Sequence, residues 1–151
     1  MSVFSHHTVT LGGRFCDDRV AASLLEMLLG GMTYGLLEIV WRGYTHPSMV
    51  LTGGVCFGMM LAVNRYCVRL PLVLRSGLCA LGITAAEFCV GFVVNRLWHM
   101  EVWDYSDEWM DLLGQICPLY SCFWFLLSFA VCGLFECYRR NASSKRLKSE
   151  S

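Results

Sequence analysis

The sequence predicts an all-α integral membrane four-helix bundle that also reads as two repeated helical hairpins. Three observations lead there. Of the 151 residues, 56% are hydrophobic, above the roughly 45–50% of soluble domains. The excess gathers into four runs of about the 20 helical residues that cross a hydrocarbon core of roughly 30 Å. Each run is continuous rather than alternating, which favours helices over a barrel, because lipid leaves backbone polar groups to be satisfied within their own segment.

In chain order, residues 1–21 are expected to be a cytoplasmic N-terminal segment. They carry Arg14, Asp17, Asp18 and Arg19 and lack an apolar stretch leading to a small-residue cleavage site. The expectation is therefore no cleaved signal peptide, with the first helix as its own insertion signal. The transmembrane domain is placed at 22–138, with helices near Ala22–Trp41, Ser48–Tyr66, Leu72–Leu97 and Leu112–Tyr138. Residues 139–151 form a basic cytoplasmic tail. In the first two helices, Gly31 with Gly35 and Gly54 with Gly58 place small residues on one face. Such faces let helix backbones approach closely, within one chain or between chains.

Orientation follows from the basic residues. Of twelve, ten lie in the N-terminal segment (Arg14, Arg19), around the second connection (Arg65, Arg69, Arg75) or in the tail (Arg139, Arg140, Lys145, Arg146, Lys148). The positive-inside rule puts both termini and the 66–72 connection in the cytoplasm, as in a multi-pass plasma-membrane protein. The third connection, with Glu101, Asp104, Asp107, Glu108 and Asp111, then faces outward.

Each half has a helix bearing a carboxylate (Glu38, then Glu87), an outward aromatic loop, and a following helix that opens with glycine (Gly53-Gly54, then Gly114). Internal repeats are common in transporters, and equally arise from duplication of a structural hairpin. Of the nine cysteines, Cys56, Cys79, Cys89, Cys117, Cys122 and Cys132 fall inside the expected helices. Buried cysteine acts as a small hydrophobe. There is no CxxC pair, and no metal or other cofactor is expected.

The candidate site lies in the outer half. Glu87 sits ten residues before Leu97, about 15 Å from the helix end and near the bilayer midplane. Glu87, Gly91 and Asn95 share one face at i, i+4 and i+8. Glu38 and Arg42 are an i, i+4 pair on the first helix, and Gln115 enters the fourth helix at a similar level. Glu38, Arg42, Glu87, Asn95 and Asp104 are the candidate ligand or proton site, with His46, Trp103, Tyr105, Ser106 and Gln115 supporting it from the outer loops.

Two readings of the cluster stand. In one, the polar residues tie helix ends together and Glu87 is neutral and hydrogen-bonded. In the other, Glu87 is a proton or cation ligand at the base of a water-accessible vestibule, since an intramembrane ionisable residue is by default a functional hypothesis. Trp41, Tyr44, Trp98, Trp103, Tyr105 and Trp109 map to the outer interface as an aromatic belt. Asp104 and Ser106 are suited to cap a turn, and Pro118 is expected to kink the fourth helix.

No catalytic spacing stands out, so no enzymatic activity is expected. The basic tail is short and juxtamembrane, which points to anionic lipid rather than nucleic acid.

The segments Glu38-Ile-Val-Trp-Arg-Gly-Tyr-Thr-His-Pro-Ser-Met49, Gly53-Gly-Val-Cys-Phe57, Thr84-Ala-Ala-Glu-Phe88 with Gly91 and Asn95, Trp103-Asp-Tyr-Ser106 and Gly114-Gln-Ile-Cys117 together resemble the bacterial CmpB-type family. Its members carry the label of ABC-transporter permeases and are similar to a group of eukaryotic four-pass membrane proteins designated by serial number. The resemblance spans roughly residues 22–138 and implies a transport role. The sequence has no GxxxxGK(S/T) phosphate loop, so an ATP-driven role requires a separate ATPase subunit. The resulting expectation is a permease-like component for a small polar or cationic solute, homo-oligomeric in the lipid bilayer. The alternative is a non-transporting scaffold or accessory subunit.

Overall fold

The computed structural model describes the backbone of residues 7–149 and the side-chain surroundings of residues 18–145. The start of the N-terminal segment, residues 1–6, and the side chains of Arg14, Asp17, Arg146 and Lys148 lie outside the described residues. Among the described residues the fold is all-α: α1 (His7–Arg42), α2 (Pro47–Tyr66), α3 (Leu72–Gly91) with a π-helical continuation (Phe92–Leu97), and α4 (Pro118–Ser149). All four are long and apolar enough to cross a membrane, over Asp18–Arg42, Pro47–Tyr66, Leu72–Leu97 and Pro118–Lys145. The chain divides into two compact units, one through Gly58 and one from Met59.

In the first unit, α1 meets the first half of α2 along glycines. A Cβ on Gly54 would lie 2.7 Å from the Met27 carbonyl oxygen, and one on Gly31 would press on the Val50 carbonyl. The obstacle is backbone at both positions, so only glycine permits the approach. The turn between the helices uses Gly43 at φ +82°. Pro47 then opens α2, where its missing N–H costs nothing, and the Ser48 N–H donates to His46 Nδ1 at 3.3 Å.

In the second unit, α3 and α4 pack together, and their shared seam is polar at intervals of four residues. Arg75, Cys79, Ile83, Glu87 and Gly91 are all buried on α3. Arg75 bonds Glu136, Cys79 meets Cys132, and Glu87 meets Trp124, so α4 also advances in steps of four or multiples of four as it runs the other way. The remaining faces carry exposed apolar side chains, among them Leu74, Leu78 and Leu81 on α3 and Phe123, Leu126 and Leu127 on α4. Such faces suit lipid rather than water.

The fourth helix starts later than its apolar run. Residues 112–117, expected to be helical, are loop: Leu113 and Gly114 have φ of +57° and +69°, and Leu112 N–H donates to the Ile116 carbonyl at 2.8 Å. Pro118 is the first residue of α4 rather than a kink within it. That position tolerates proline, because no intrahelical bond is asked of its nitrogen. Gln115 and Gly114 accordingly belong to the loop and not to the helix.

Candidate functional site

In the first unit, Glu38 is the centre of a small polar cluster. Arg42 Nη1 donates to Glu38 Oε1 at 3.1 Å and Thr45 Oγ1 donates to Oε2 at 2.5 Å, so both carboxylate oxygens are engaged. Arg42 also donates to the Tyr44 hydroxyl at 3.0 Å, with the guanidinium 5.0 Å from the ring centroid. The i, i+4 geometry places the charges together and the short turn through Gly43 returns Thr45 to the same carboxylate. His46 lies beside this cluster in sequence, its Nδ1 2.7 Å from Ser48 Oγ.

In the second unit, Glu87 is 4% exposed. Trp124 Nε1 donates to its Oε2 at 2.5 Å. An indole is a neutral donor, so it orients the carboxylate without neutralising it. Nearby, Thr84 Oγ1 donates to Ser121 Oγ at 3.3 Å, and Ser121 in turn to the Cys117 carbonyl at 3.0 Å. At the far end of the seam, Arg75 is buried and paired with Glu136, which also takes a 2.6 Å bond from exposed Arg140.

Above Glu87, the loop 98–117 folds onto the end of α3. Asn95 Nδ2 donates to the Trp103 carbonyl at 2.9 Å and to Gln115 Oε1 at 2.8 Å, while Asn95 Oδ1 accepts from the Val102 N–H at 2.8 Å. Both amide hydrogens of Asn95 are therefore used within the chain. Trp103 is 4% exposed and its Nε1 donates to the Gln115 carbonyl at 3.1 Å. Gly91 makes room for this arrangement: a Cβ there would lie 2.7 Å from the Trp103 ring and would press on the Gln115 carboxamide. The Glu87–Gly91–Asn95 face is thus covered by the loop from Gly91 upward.

Asp104 lies at the exposed rim of the same loop. Its Oδ1 accepts from the Ser106 hydroxyl at 2.5 Å and from the Ser106 N–H at 2.9 Å. These bonds, with the hydroxyl first, hold the carboxyl below the ordinary aspartate value, and Arg96 adds a smaller push in the same direction. Gly114 is held between the two: its φ is positive, and a Cβ would lie 2.5 Å from Asp104 Oδ1. Tyr105 stacks on Tyr120 of α4 with ring centroids 4.4 Å apart, docking the loop on that helix. His99, Glu101, Met110 and Leu113 all have positive φ, an unfavourable conformation for side-chain-bearing residues that a surrounding network has to hold.

The structure thus sorts the candidate residues. Asn95, Trp103 and Gln115 form one network, Asp104 and Ser106 a turn beside it, and Glu87 a separate contact with α4. Glu38, Arg42 and His46 belong to the first unit. Trp103 departs from the expected aromatic belt, because its ring is inside the loop, whereas Trp41, Trp98 and Trp109 are exposed. Sequence reasoning missed Trp124 and the Cys79–Cys132 contact below it. The signal was available in each helix as polar or small residues four apart, but pairing them across helices required the register.

Among the described residues, four helices long and apolar enough to cross a membrane define a multi-pass membrane protein, and Glu87 is buried within the third of them. The chain belongs to the CmpB-type family described as "Putative ABC-transporter type IV", which matches residues 57–149. The matched region holds Glu87, Asn95, Asp104 and Gln115 and excludes Glu38 and Arg42. No curated protein matches the chain, and no solved structure does.

Proposed function

We propose that the chain is a permease-like transport component for a small polar or cationic solute, with Glu87 as the intramembrane group that takes up a proton or cation. The observation that carries this is a carboxylate 4% exposed within a membrane-length helix, oriented by a neutral donor. Ionisable residues in such segments are expensive to keep and mark ion and substrate paths. Family membership supports a transport role. In this reading both termini are cytoplasmic, the membrane is the plasma membrane, and a homo-oligomer completes the solute path. Any ATP-driven step uses a separate ATPase subunit, the chain itself being non-catalytic.

The rival reading is a scaffold or accessory subunit, and one observation favours it for part of the site. Asn95 and Gln115 bond within the chain as structural ties, so the transport proposal rests on Glu87.

The test uses full-length protein in proteoliposomes loaded with a pH-sensitive dye and challenged with polyamines, amino acids and monovalent cations. Solute-dependent change of internal pH is expected for the native protein and is expected to be lost in Glu87→Gln, with helicity retained. Equal flux in both removes Glu87 from the path. No flux in either, with both folded, moves the assignment to the scaffold.

A further inference from the structure

We propose that Cys79 and Cys132 form a two-thiolate site for a soft monovalent cation of the Cu(I) class, buried between α3 and α4. The proposal is independent of the transport reading. The two sulfurs lie 4.0 Å apart, and both residues are fully buried, at 0% exposure. With metal–thiolate bonds of about 2.3 Å, that separation subtends roughly 120° at a bridging ion, between tetrahedral and linear geometry. A disulfide needs the sulfurs to close to about 2.05 Å. The present spacing suits a bridging ion.

The surroundings are those of a ligand site as well as of packing. Asn64 Nδ2 donates to Cys132 Sγ at 3.1 Å and is itself fixed by the Met60 carbonyl at 2.9 Å. The thiolate is the form that binds metal. Asn64 Oδ1 is buried without a hydrogen-bond partner. Burial of a small hydrophobe accounts for one cysteine on each helix. It does not account for a buried amide donor aimed at one of a pair of converging sulfurs.

The ion class follows from ligand count and charge. Among the described residues no group of three or more His, Cys, Asp and Glu side chains converges, so the four ligands that structural zinc takes are not offered. Two thiolates select a soft cation of low coordination. Loading replaces two thiol protons with one monovalent cation, releases both protons, and leaves a bis-thiolate complex with one negative charge. Arg75 lies one turn from Cys79 on the same seam, 1% exposed, and its Nε has no hydrogen-bond partner. Arg75 is paired with Glu136 through Nη2, and it is the buried basic group of the same seam.

The experiment titrates full-length protein, with the exposed Cys89, Cys122 and Cys137 changed to serine, with Cu(I) under anaerobic conditions against a chromogenic chelator. One ion per chain is expected to be withheld from the chelator. Cys132→Ser is expected to abolish that binding, and Asn64→Leu to weaken it about 10–100-fold, as loss of a supporting hydrogen bond does. Unchanged affinity in Cys132→Ser overturns the site. A readout that does not depend on the folding of that variant is copper-edge X-ray absorption of the loaded parent. A shell with two sulfur neighbours supports the site, and a shell of nitrogen and oxygen alone overturns it. A Cys79–Cys132 disulfide mapped in protein isolated without reductant overturns it as well.

Discussion

Trp124 and Glu87 meet across the α3–α4 seam, indole nitrogen to carboxylate oxygen at 2.5 Å, although 37 residues separate them. This contact joins the interior of α3 to the second turn of α4, at the residue on which the transport reading rests. Hydrogen bonds between membrane helices average about 0.6 kcal/mol and reach about 1.7. A double-mutant cycle of Trp124→Phe and Glu87→Gln is expected to give a coupling energy within that range, toward its upper part because the site is buried. Unfolding in a denaturing-detergent titration measures it, and additive effects would mean the contact contributes nothing to stability.

The four apolar runs were legible because hydropathy over about 20 residues is a strong signal. The beginning of α4 was not: Leu112, Leu113 and Ile116 extend the apolar run, while the positive φ of Leu113 and Gly114 and the loop hydrogen bonds end the helix at Pro118. The face shared by Glu87, Gly91 and Asn95 could be read from spacing alone. What covers it could not, because Trp103 and Gln115 return through a loop whose conformation depends on the very network they build. The partners Trp124 and Cys132 lie 37 and 53 residues from theirs, and periodicity within one helix cannot name a residue on another.

Asn95 is the tie whose loss should free the loop. Asn95→Ala removes the acceptor for the Val102 N–H and the donor to the Trp103 carbonyl and Gln115 Oε1. Each buried group stripped of a bond costs about 1–3 kcal/mol. Hydrogen exchange at the Val102 amide is expected to rise strongly while amides in the middle of α3 stay protected. Retained protection at Val102 would show that the loop is held by other means.

Acid should open the Asp104 turn late. Its folded-state pKa is depressed, chiefly by the Ser106 hydroxyl and then by the Ser106 N–H, so the charged form is the one that folding favours. The stabilisation is therefore present above the unfolded-state pKa and is lost as pH falls through the lower, folded-state pKa. Ser106→Ala removes the larger cause and should move the transition of this turn to higher pH. A carbon-13 titration of the Asp104 carboxyl checks both the depression and its partial reversal, and an unchanged midpoint in Ser106→Ala would assign the shift elsewhere.

Glycines in the same kind of helix should respond in opposite ways. Gly54→Ala drives a Cβ to 2.7 Å from the Met27 carbonyl oxygen, which as backbone yields little, whereas nothing lies within 4 Å of a Cβ at Gly77. The first change is expected to cost about 1–3 kcal/mol by overpacking. The second should be neutral or stabilise by up to about 1 kcal/mol through helix propensity. Denaturing-detergent titration of the two variants side by side decides, and similar losses in both would mean that the approach at Gly54 is looser than the geometry indicates.

Arg75 gives the strictest ordering of variants. Its side chain is almost entirely buried and bonds Glu136, while Arg140, the other partner of that glutamate, is exposed. An exposed ion pair contributes little, since water solvates both charges nearly as well when they part. A buried guanidinium stripped of its carboxylate has no such refuge, and removing one partner is worse than removing both. Arg140→Ala should therefore resemble the native protein, and Glu136→Gln should be clearly destabilised. The double variant Arg75→Leu with Glu136→Gln should recover much of that loss, because no buried charge then remains unpaired. If the double variant unfolds as readily as Glu136→Gln alone, the guanidinium was not the source of the penalty, and Arg75 reaches another acceptor once Glu136 is gone.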